Sequence, residues 1–208
     1  MDKANMKSMK EYYDATAKET AENWYSNEMM LPLLKRFVGM FDAKPRILDA
    51  GCGTGCESMR LANLGADVVG VDVSEESIKI AQMKNPNCRF ELMDVKQLDD
   101  SIGVFDGIVS LGMIIHIQDC DLQMAFDNFS KAIKPEGFLF LAFVAGDGFC
   151  EKRSYLDVNG EKYNRNFYLH QPERIIEMAQ KSAFKYYEEW FLEGKFGQWK
   201  FLVFNREL

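Results

Sequence analysis

The chain has 208 residues, 47% hydrophobic and 27% charged, with a formal net charge of -7. That balance suits a globular protein with a full core and argues against wholesale disorder. An acidic surface repels phosphate backbones and anionic lipid, which excludes a general nucleic-acid or membrane-surface binder.

The longest strictly apolar run, Phe138 to Ala145, falls far short of the roughly 20 residues of a membrane-spanning helix. The opening MDKANMKSMKEYYD lacks the apolar centre of a signal peptide. Cysteines at 52, 56, 88, 120 and 150, an odd number, read as reduced thiols of a cytoplasmic protein. His116 and His170 stand in no ligand-like spacing with them, so no metal site is expected.

In chain order, Met9, Tyr13, Ala17, Thr20 and Trp24 recur at helical spacing and predict a first helix over Met6 to Tyr25. A second helix is expected from about Asn27, with Pro32 in its first turns, ending before Lys44-Pro45. Short apolar runs then alternate with helical patterns. The strands are Arg46 to Asp49, Val68 to Val73, Arg89 to Met93, Phe105 to Leu111 and Gly137 to Val144. The helices between them are Glu57 to Leu64, Glu75 to Lys84 and Asp121 to Ile133. Near-continuous apolar strands joined by helical crossovers predict an α/β, doubly wound, mostly parallel sheet.

The segment Gly146 to Leu169 interrupts that alternation. Asn159-Gly160, between Ser154–Val158 and Glu161–Tyr163, predicts a tight hairpin. Its place after the last parallel strand makes it either a substrate-facing flap or a solvated decoration. A helix is expected over Gln171 to Ser182, then strands over Lys185 to Leu192 and Trp199 to Asn205. Only a short stretch containing Gly194 and Gly197 separates these last two, so they must form an antiparallel hairpin.

The strongest chemical signal is Ile47-Leu48-Asp49-Ala50-Gly51-Cys52-Gly53-Thr54-Gly55. A strand enters three alternate glycines and leaves into a helix, so a ligand can lie against bare backbone. The spacing is G-x-G-x-G rather than the dinucleotide G-x-G-x-x-G, and Asp49 stands two residues before the first glycine. A pyrophosphate gains nothing from that carboxylate, whereas a ligand bearing an amine and a sulfonium gains. Asp72 ends the second strand, where a carboxylate can accept from both hydroxyls of an unphosphorylated ribose. Asp94 ends the third, where it can accept from an exocyclic amine of adenine. Each acid alone also suits a helix cap.

From Arg46 to Phe143 the chain resembles the class I (Rossmann-like) S-adenosylmethionine-dependent methyltransferases of small molecules. ILDAGCGTG is similar to their glycine-rich motif, VVGVDVS to their ribose-binding strand end and ELMDV to their adenine loop. FDGIVSLGMIIHI resembles the fourth-strand motif. IKPEGFLFLAF resembles the fifth, with Glu136 in place of a glycine. The resemblance implies one methyltransferase domain over residues 1–208, with a seven-stranded sheet containing one antiparallel strand. Residues 1–43 would form lid helices and residues 146–169 a substrate-side insertion.

The resemblance further implies S-adenosylmethionine as cofactor, with S-adenosylhomocysteine as product. Gly51 and Gly53 would contact its amino-acid part, Asp72 and Val73 its ribose, Asp94 and Val95 its adenine, and Leu111 its sulfonium end. Tyr13 would close over the site and bind the cofactor carboxylate, or serve as a packing aromatic. His116 is the candidate base or acceptor contact, against a purely structural role. Tyr163, Arg165, Phe167 and Tyr168 could line an acceptor pocket, and Arg165 would favour an anionic acceptor. Ser110-Leu111-Gly112-Met113 is unlike the Asn/Asp-Pro-Pro-Tyr/Phe of amino-group methylation on bases, and no Pro-Cys nucleophile stands there. A small-molecule acceptor is therefore expected. The alternatives are an NAD(P)-dependent oxidoreductase and a non-catalytic protein that binds the same cofactor.

Overall fold

A computed structural model describes residues 8–149, 155–165, 167–192 and 199–207. Met6, Cys150, Ser154, Gly194 and Gly197, named above, lie outside the described residues. The chain opens with α1 (Met9–Trp24) and α2 (Leu31–Val38). Ser8 starts α1 with a reciprocal cap, its hydroxyl accepting from the Glu11 N–H while the Glu11 carboxylate accepts from the Ser8 N–H. The second helix is shorter than its pattern suggests. Asn27 Oδ1 accepts from the Met29 N–H at 3.0 Å, a local turn that competes with helix and delays its start.

The alternation follows as β1 (Arg46–Ala50), α3 (Cys56–Asn63), β2 (Asp67–Asp72), α4 (Glu75–Lys84), β3 (Arg89–Leu92), β4 (Phe105–Leu111), α5 (Asp119–Ala132) and β5 (Ile133–Val144). Beyond the insertion come α6 (Pro172–Lys181), β10 (Phe184–Trp190) and β11 (Trp199–Arg206). The seven strands lie in the order β10-β11-β5-β4-β1-β2-β3. β1 pairs in parallel with β2 and β4, and β3 and β5 extend the parallel set. β11 runs antiparallel to both β5 and β10. The expected α/β sheet and its terminal hairpin are both present.

β5 begins four residues earlier than expected. Ile133 already pairs with Phe105, and the register then shifts before Gly107 meets Phe138. Lys134-Pro135-Glu136 accommodates that shift with Glu136 at φ 66°, a left-handed backbone that favours glycine.

Side chains on successive strand residues enter opposite cores, as the pleat requires. Leu48, Val71, Leu139, Leu141 and Phe143 pack with α5 and α6. Ile47, Val68, Phe140 and Ala142 pack with Leu34 and Phe37 of α2 and Leu61 of α3. Both faces of the sheet are thereby covered, which explains why its strands read as near-continuous apolar runs.

The insertion forms two short ribbons. β6 (Gly148–Phe149) pairs with β9 (Tyr168–Leu169), and β7 (Tyr155–Val158) pairs with β8 (Glu161–Asn164). Asn159 and Gly160 both take positive φ, 54° and 80°, the turn their sequence calls for. The hairpin lies against α1, with the Tyr12 and Tyr163 rings edge-on at 6.0 Å.

Candidate functional site

The strand order reverses between β1 and β4, so the loops leaving their carboxyl ends diverge and open a crevice. A cavity of about 610 Å3 occupies it, lined by Gly51 and Gly53 after β1, Asp72 and Val73 after β2, Asp94 and Val95 after β3, and Leu111 and Gly112 after β4. Ser8, Met9, Tyr13 and Thr20, in and just before α1, line its remaining side. Every cofactor-contact residue expected from the sequence therefore faces one space. Its size suits a nucleoside-scale ligand.

The glycine loop is built for close approach. Gly51, Gly53 and Gly55 all have positive φ, 81°, 51° and 84°. A Cβ on Gly51 would lie 2.5 Å from Met113, while one on Gly53 would point into open space. Gly51 is thus required by packing and conformation, and Gly53 by conformation and the ligand space. Tyr25, at the end of α1, tethers the loop from outside. Its hydroxyl donates to the Thr54 carbonyl at 2.7 Å and accepts from Asn85 Nδ2 at 2.8 Å. Burial pushes that phenol up to about 12.

Asp72 links two strand ends. Its Oδ2 accepts from the Gly53 N–H and its Oδ1 from the Ser74 N–H, each at 2.9 Å. The Val73 N–H is a third backbone donor to the same carboxylate. Burial raises its pKa, against the lowering effect of these backbone donors. Asp94 accepts from the Lys96 N–H at 2.9 Å, and Lys96 Nζ lies between the Asp94 and Asp121 carboxylates at 3.8 and 3.5 Å.

Asp49 departs from its expected role as an electrostatic partner of the ligand. It is absent from the cavity wall, and its carboxylate turns toward α3, accepting from Ser58 Oγ at 2.6 Å and from the Ser58 N–H. Gly55 occupies the N-cap of α3 without a side chain to offer, so Asp49 supplies the cap from the preceding strand. Complete burial pushes its carboxyl up to about 7.

At the far end of the cavity, three side chains from separate segments meet. Tyr13 Oη lies 2.8 Å from His116 Nε2, and Arg165 Nε donates to Tyr13 Oη at 3.1 Å. Tyr13 and His116 line the cavity; Arg165 stands behind Tyr13. The hydroxyl expected to bind the cofactor carboxylate therefore has protein partners. Of the four expected acceptor-pocket residues, Tyr168 reaches the wall. Phe167 instead packs on His116 at 5.3 Å. Tyr163 is buried, with its hydroxyl donating to Glu161 Oε2 at 3.0 Å.

The second histidine is structural. His170 is 1% exposed, and its nitrogens face Asp119 Oδ1 and the Ile114 carbonyl, both at 3.0 Å. It ties the insertion's end to the short helical turn that carries His116. Sequence reasoning gave no partner to Asp14, whose Oδ1 accepts from Ser74 Oγ and the Glu76 N–H at the start of α4. That contact docks α1 onto the start of α4, beside Asp72. Helical periodicity carries no trace of it, because partners 60 positions apart leave no local pattern.

Residues 47–137 match a family described as a methyltransferase domain. The ubiquinone biosynthesis O-methyltransferase of Mesorhizobium japonicum is 34% identical over 103 residues, 48% of this chain and 41% of that protein. The magnesium-protoporphyrin O-methyltransferase of Rhodobacter capsulatus is 35% identical over 91 residues, 41% of this chain and 40% of that one. The matched region thus spans about two fifths of the length of these curated relatives. Among solved structures, the magnesium protoporphyrin IX methyltransferase of Synechocystis, crystallised with bound SAM, superposes with a TM-score of 0.74 at 19% identity, covering 95% of both chains. At that identity the likeness bears on the fold. The sheet order is thus that of a methyltransferase fold, and the glycine loop lies within the segment that matches the methyltransferase-domain family.

Proposed function

We propose that the chain binds S-adenosylmethionine in the crevice after β1, β2, β3 and β4 and transfers its methyl group to a small-molecule acceptor. The observation that carries this reading is the convergence of two strand-end carboxylates, Asp72 and Asp94, on the same cavity as the bare backbone of Gly51 and Gly53. That donor and acceptor set suits an unphosphorylated nucleoside with a short amino-acid tail. Of the lysines on its wall, Lys10 is paired with Asp14 and Lys96 with Asp94 and Asp121, which favours a ligand without a phosphate. The relatives with small-molecule O-methyltransferase names add weight.

When bound, the cofactor supplies the electrophilic methyl group. The protein's part is to hold, align and dry the reactants. Asp72 and Val73 grip the ribose, Asp94 and Val95 the base, and Leu111 borders the sulfonium end. α1 covers the cavity and excludes water.

His116 serves as the base when the acceptor is a hydroxyl. Its Nε2 contacts Tyr13 Oη, so the acceptor's proton passes to Tyr13 Oη as the phenol proton passes to His116 Nε2. An acceptor that carries no proton needs only the positioning. Residues 1–208 act in this reading as one methyltransferase domain, with residues 1–43 as lid and 146–169 as the substrate-side insertion. Among the described residues no helix is long and apolar enough to cross a membrane. The four described cysteines are free thiols, and with the acidic charge they support a cytoplasmic protein that acts on neither nucleic acid nor membrane.

The test is a screen of phenols, carboxylic acids and amines for release of S-adenosylhomocysteine. An acceptor should turn over with the wild type and slow by about 100-fold or more with His116→Asn if it is a hydroxyl. No release with any acceptor class, and no binding of the cofactor, would refute the assignment.

A further inference from the structure

We infer that the hydroxyl of Thr20 is the group of α1 that binds the carboxylate of the cofactor's amino-acid tail. The inference rests on the methyl-transfer reading above, which puts that tail at the glycine loop.

A carboxylate accepts hydrogen bonds and offers none, and the glycine loop has few donors to spare. Gly51 and Gly53 are the loop residues on the cavity wall. The Gly51 N–H already donates to the Val71 carbonyl at 2.8 Å, and the Gly53 N–H to Asp72 Oδ2 at 2.9 Å. The neighbouring N–H groups of Cys52 and Gly55 donate to the Val71 and Cys52 carbonyls, both at 2.9 Å. Of the lysines on the wall, Lys10 pairs with Asp14 at 2.7 Å, and Lys96 lies between Asp94 and Asp121 at 3.8 and 3.5 Å.

α1 crosses the cavity from the ribose side to the loop. Asp14 holds it to Ser74 beside Asp72, and just past its end Tyr25 donates to the Thr54 carbonyl. Tyr13 and Thr20 both stand on the wall. They are two turns apart on one face, about 10.5 Å along the axis. Tyr13 lies at the acceptor end, with His116 Nε2 and Arg165 Nε at 2.8 and 3.1 Å from its oxygen. Thr20 lies on the loop side of it. A threonine within a helix can donate back to the carbonyl four residues earlier, and Thr16 does so, to Tyr12 at 2.9 Å. Thr20 does not. Among the described residues its hydroxyl has no hydrogen-bond partner, so its proton is available to the cavity. Ser77, a further hydroxyl on the wall, donates its N–H to Ser74 and so belongs to the ribose end.

The test is calorimetry on the full chain, by direct titration or by competition. The ligands are S-adenosylmethionine, its decarboxylated form, which keeps the ammonium, and 5′-methylthioadenosine, which lacks the tail. Thr20→Val removes the hydroxyl and keeps the branched shape, whereas Thr20→Ser keeps the hydroxyl. Thr20→Val should weaken S-adenosylmethionine by about tenfold or more, and the two ligands without a carboxylate by less than about twofold. Thr20→Ser should bind S-adenosylmethionine within about threefold of wild type. A loss of equal size for all the ligands, or one that serine does not restore, would assign Thr20 to the packing of α1 and overturn the inference. S-adenosylmethionine bound as tightly by Thr20→Val as by wild type would overturn it too, and would leave the methyl-transfer reading standing. A wild type that binds none of these ligands would sink both.

Discussion

Replacing Asp49 by asparagine should make the protein more stable, and by an amount that grows with pH. The carboxyl is 2% exposed, accepts from Ser58 Oγ at 2.6 Å, and has its pKa moved by burial from 3.8 to about 7. Between those values the unfolded chain has released this proton and the folded chain has kept it. The unfolded state binds fewer protons, so stability falls as pH rises through the window and levels off above it. Each pH unit in the window corresponds to about 1.4 kcal/mol, and the whole displacement to about 4 kcal/mol at most. Asparagine keeps the oxygen that accepts from Ser58 and has no proton to lose. Asp72 and Glu57, also raised mainly by burial, are present in both proteins, so the larger part of their own pH dependence drops out of the difference and only their smaller repulsion with Asp49 remains in it. Urea melts of wild type and Asp49→Asn at several values between pH 4.5 and 8 give that difference directly. It should grow in favour of the variant up to about pH 7 and then flatten. Curves that stay parallel across the range would refute the assignment of a buried, raised carboxyl that caps α3.

Asp72→Asn exchanges a carboxylate oxygen for an amide NH2 that must face the Gly53 or Ser74 N–H. It should cost about 1–3 kcal/mol of stability and weaken cofactor binding by about 100-fold in calorimetry. Binding within threefold of wild type would remove Asp72 from the ribose site. Glu136→Gly relieves an exposed left-handed residue whose carbonyl accepts from Asn205. It should raise Tm by about 2–4 °C, the equivalent of about 1 kcal/mol, and a lower Tm would contradict the strain argument. Tyr25→Phe removes both hydrogen bonds to the glycine-loop side. It should cost about 1–2 kcal/mol in urea and speed hydrogen exchange at Gly53 to Gly55, with unchanged exchange counting against the tether.

The sheet was legible because its strands are buried on both faces and so announce themselves as apolar runs, and because each crossover helix keeps its own periodicity. Strand-end residues were equally legible. Gly51, Asp72, Asp94 and Leu111 each follow an apolar run, and a doubly wound sheet sends all such ends to one side. Asp49 misled for the same reason. It stands in the right line of sequence, but the pleat turns its side chain toward α3, and α3 lacks a capping side chain at Gly55. Sequence also placed Tyr13, His116 and Arg165 near the site without showing that they join. Their contact depends on how α1 and the insertion fold back over the sheet, across 103 and 152 positions. No local pattern encodes that. Glu136 read as a small departure from a familiar motif, and its positive φ gives the departure an energetic meaning.

In the proposed function, one crevice, floored by glycines and edged by Asp72 and Asp94, takes a sulfonium nucleoside rather than a dinucleotide. Calorimetric titration of the purified protein with S-adenosylmethionine, and in parallel with NAD, addresses it most directly. Saturable one-to-one binding of S-adenosylmethionine, weakened by Asp72→Asn and unaffected by excess NAD, is the predicted result. Binding of NAD at the same site with no heat from S-adenosylmethionine would contradict it.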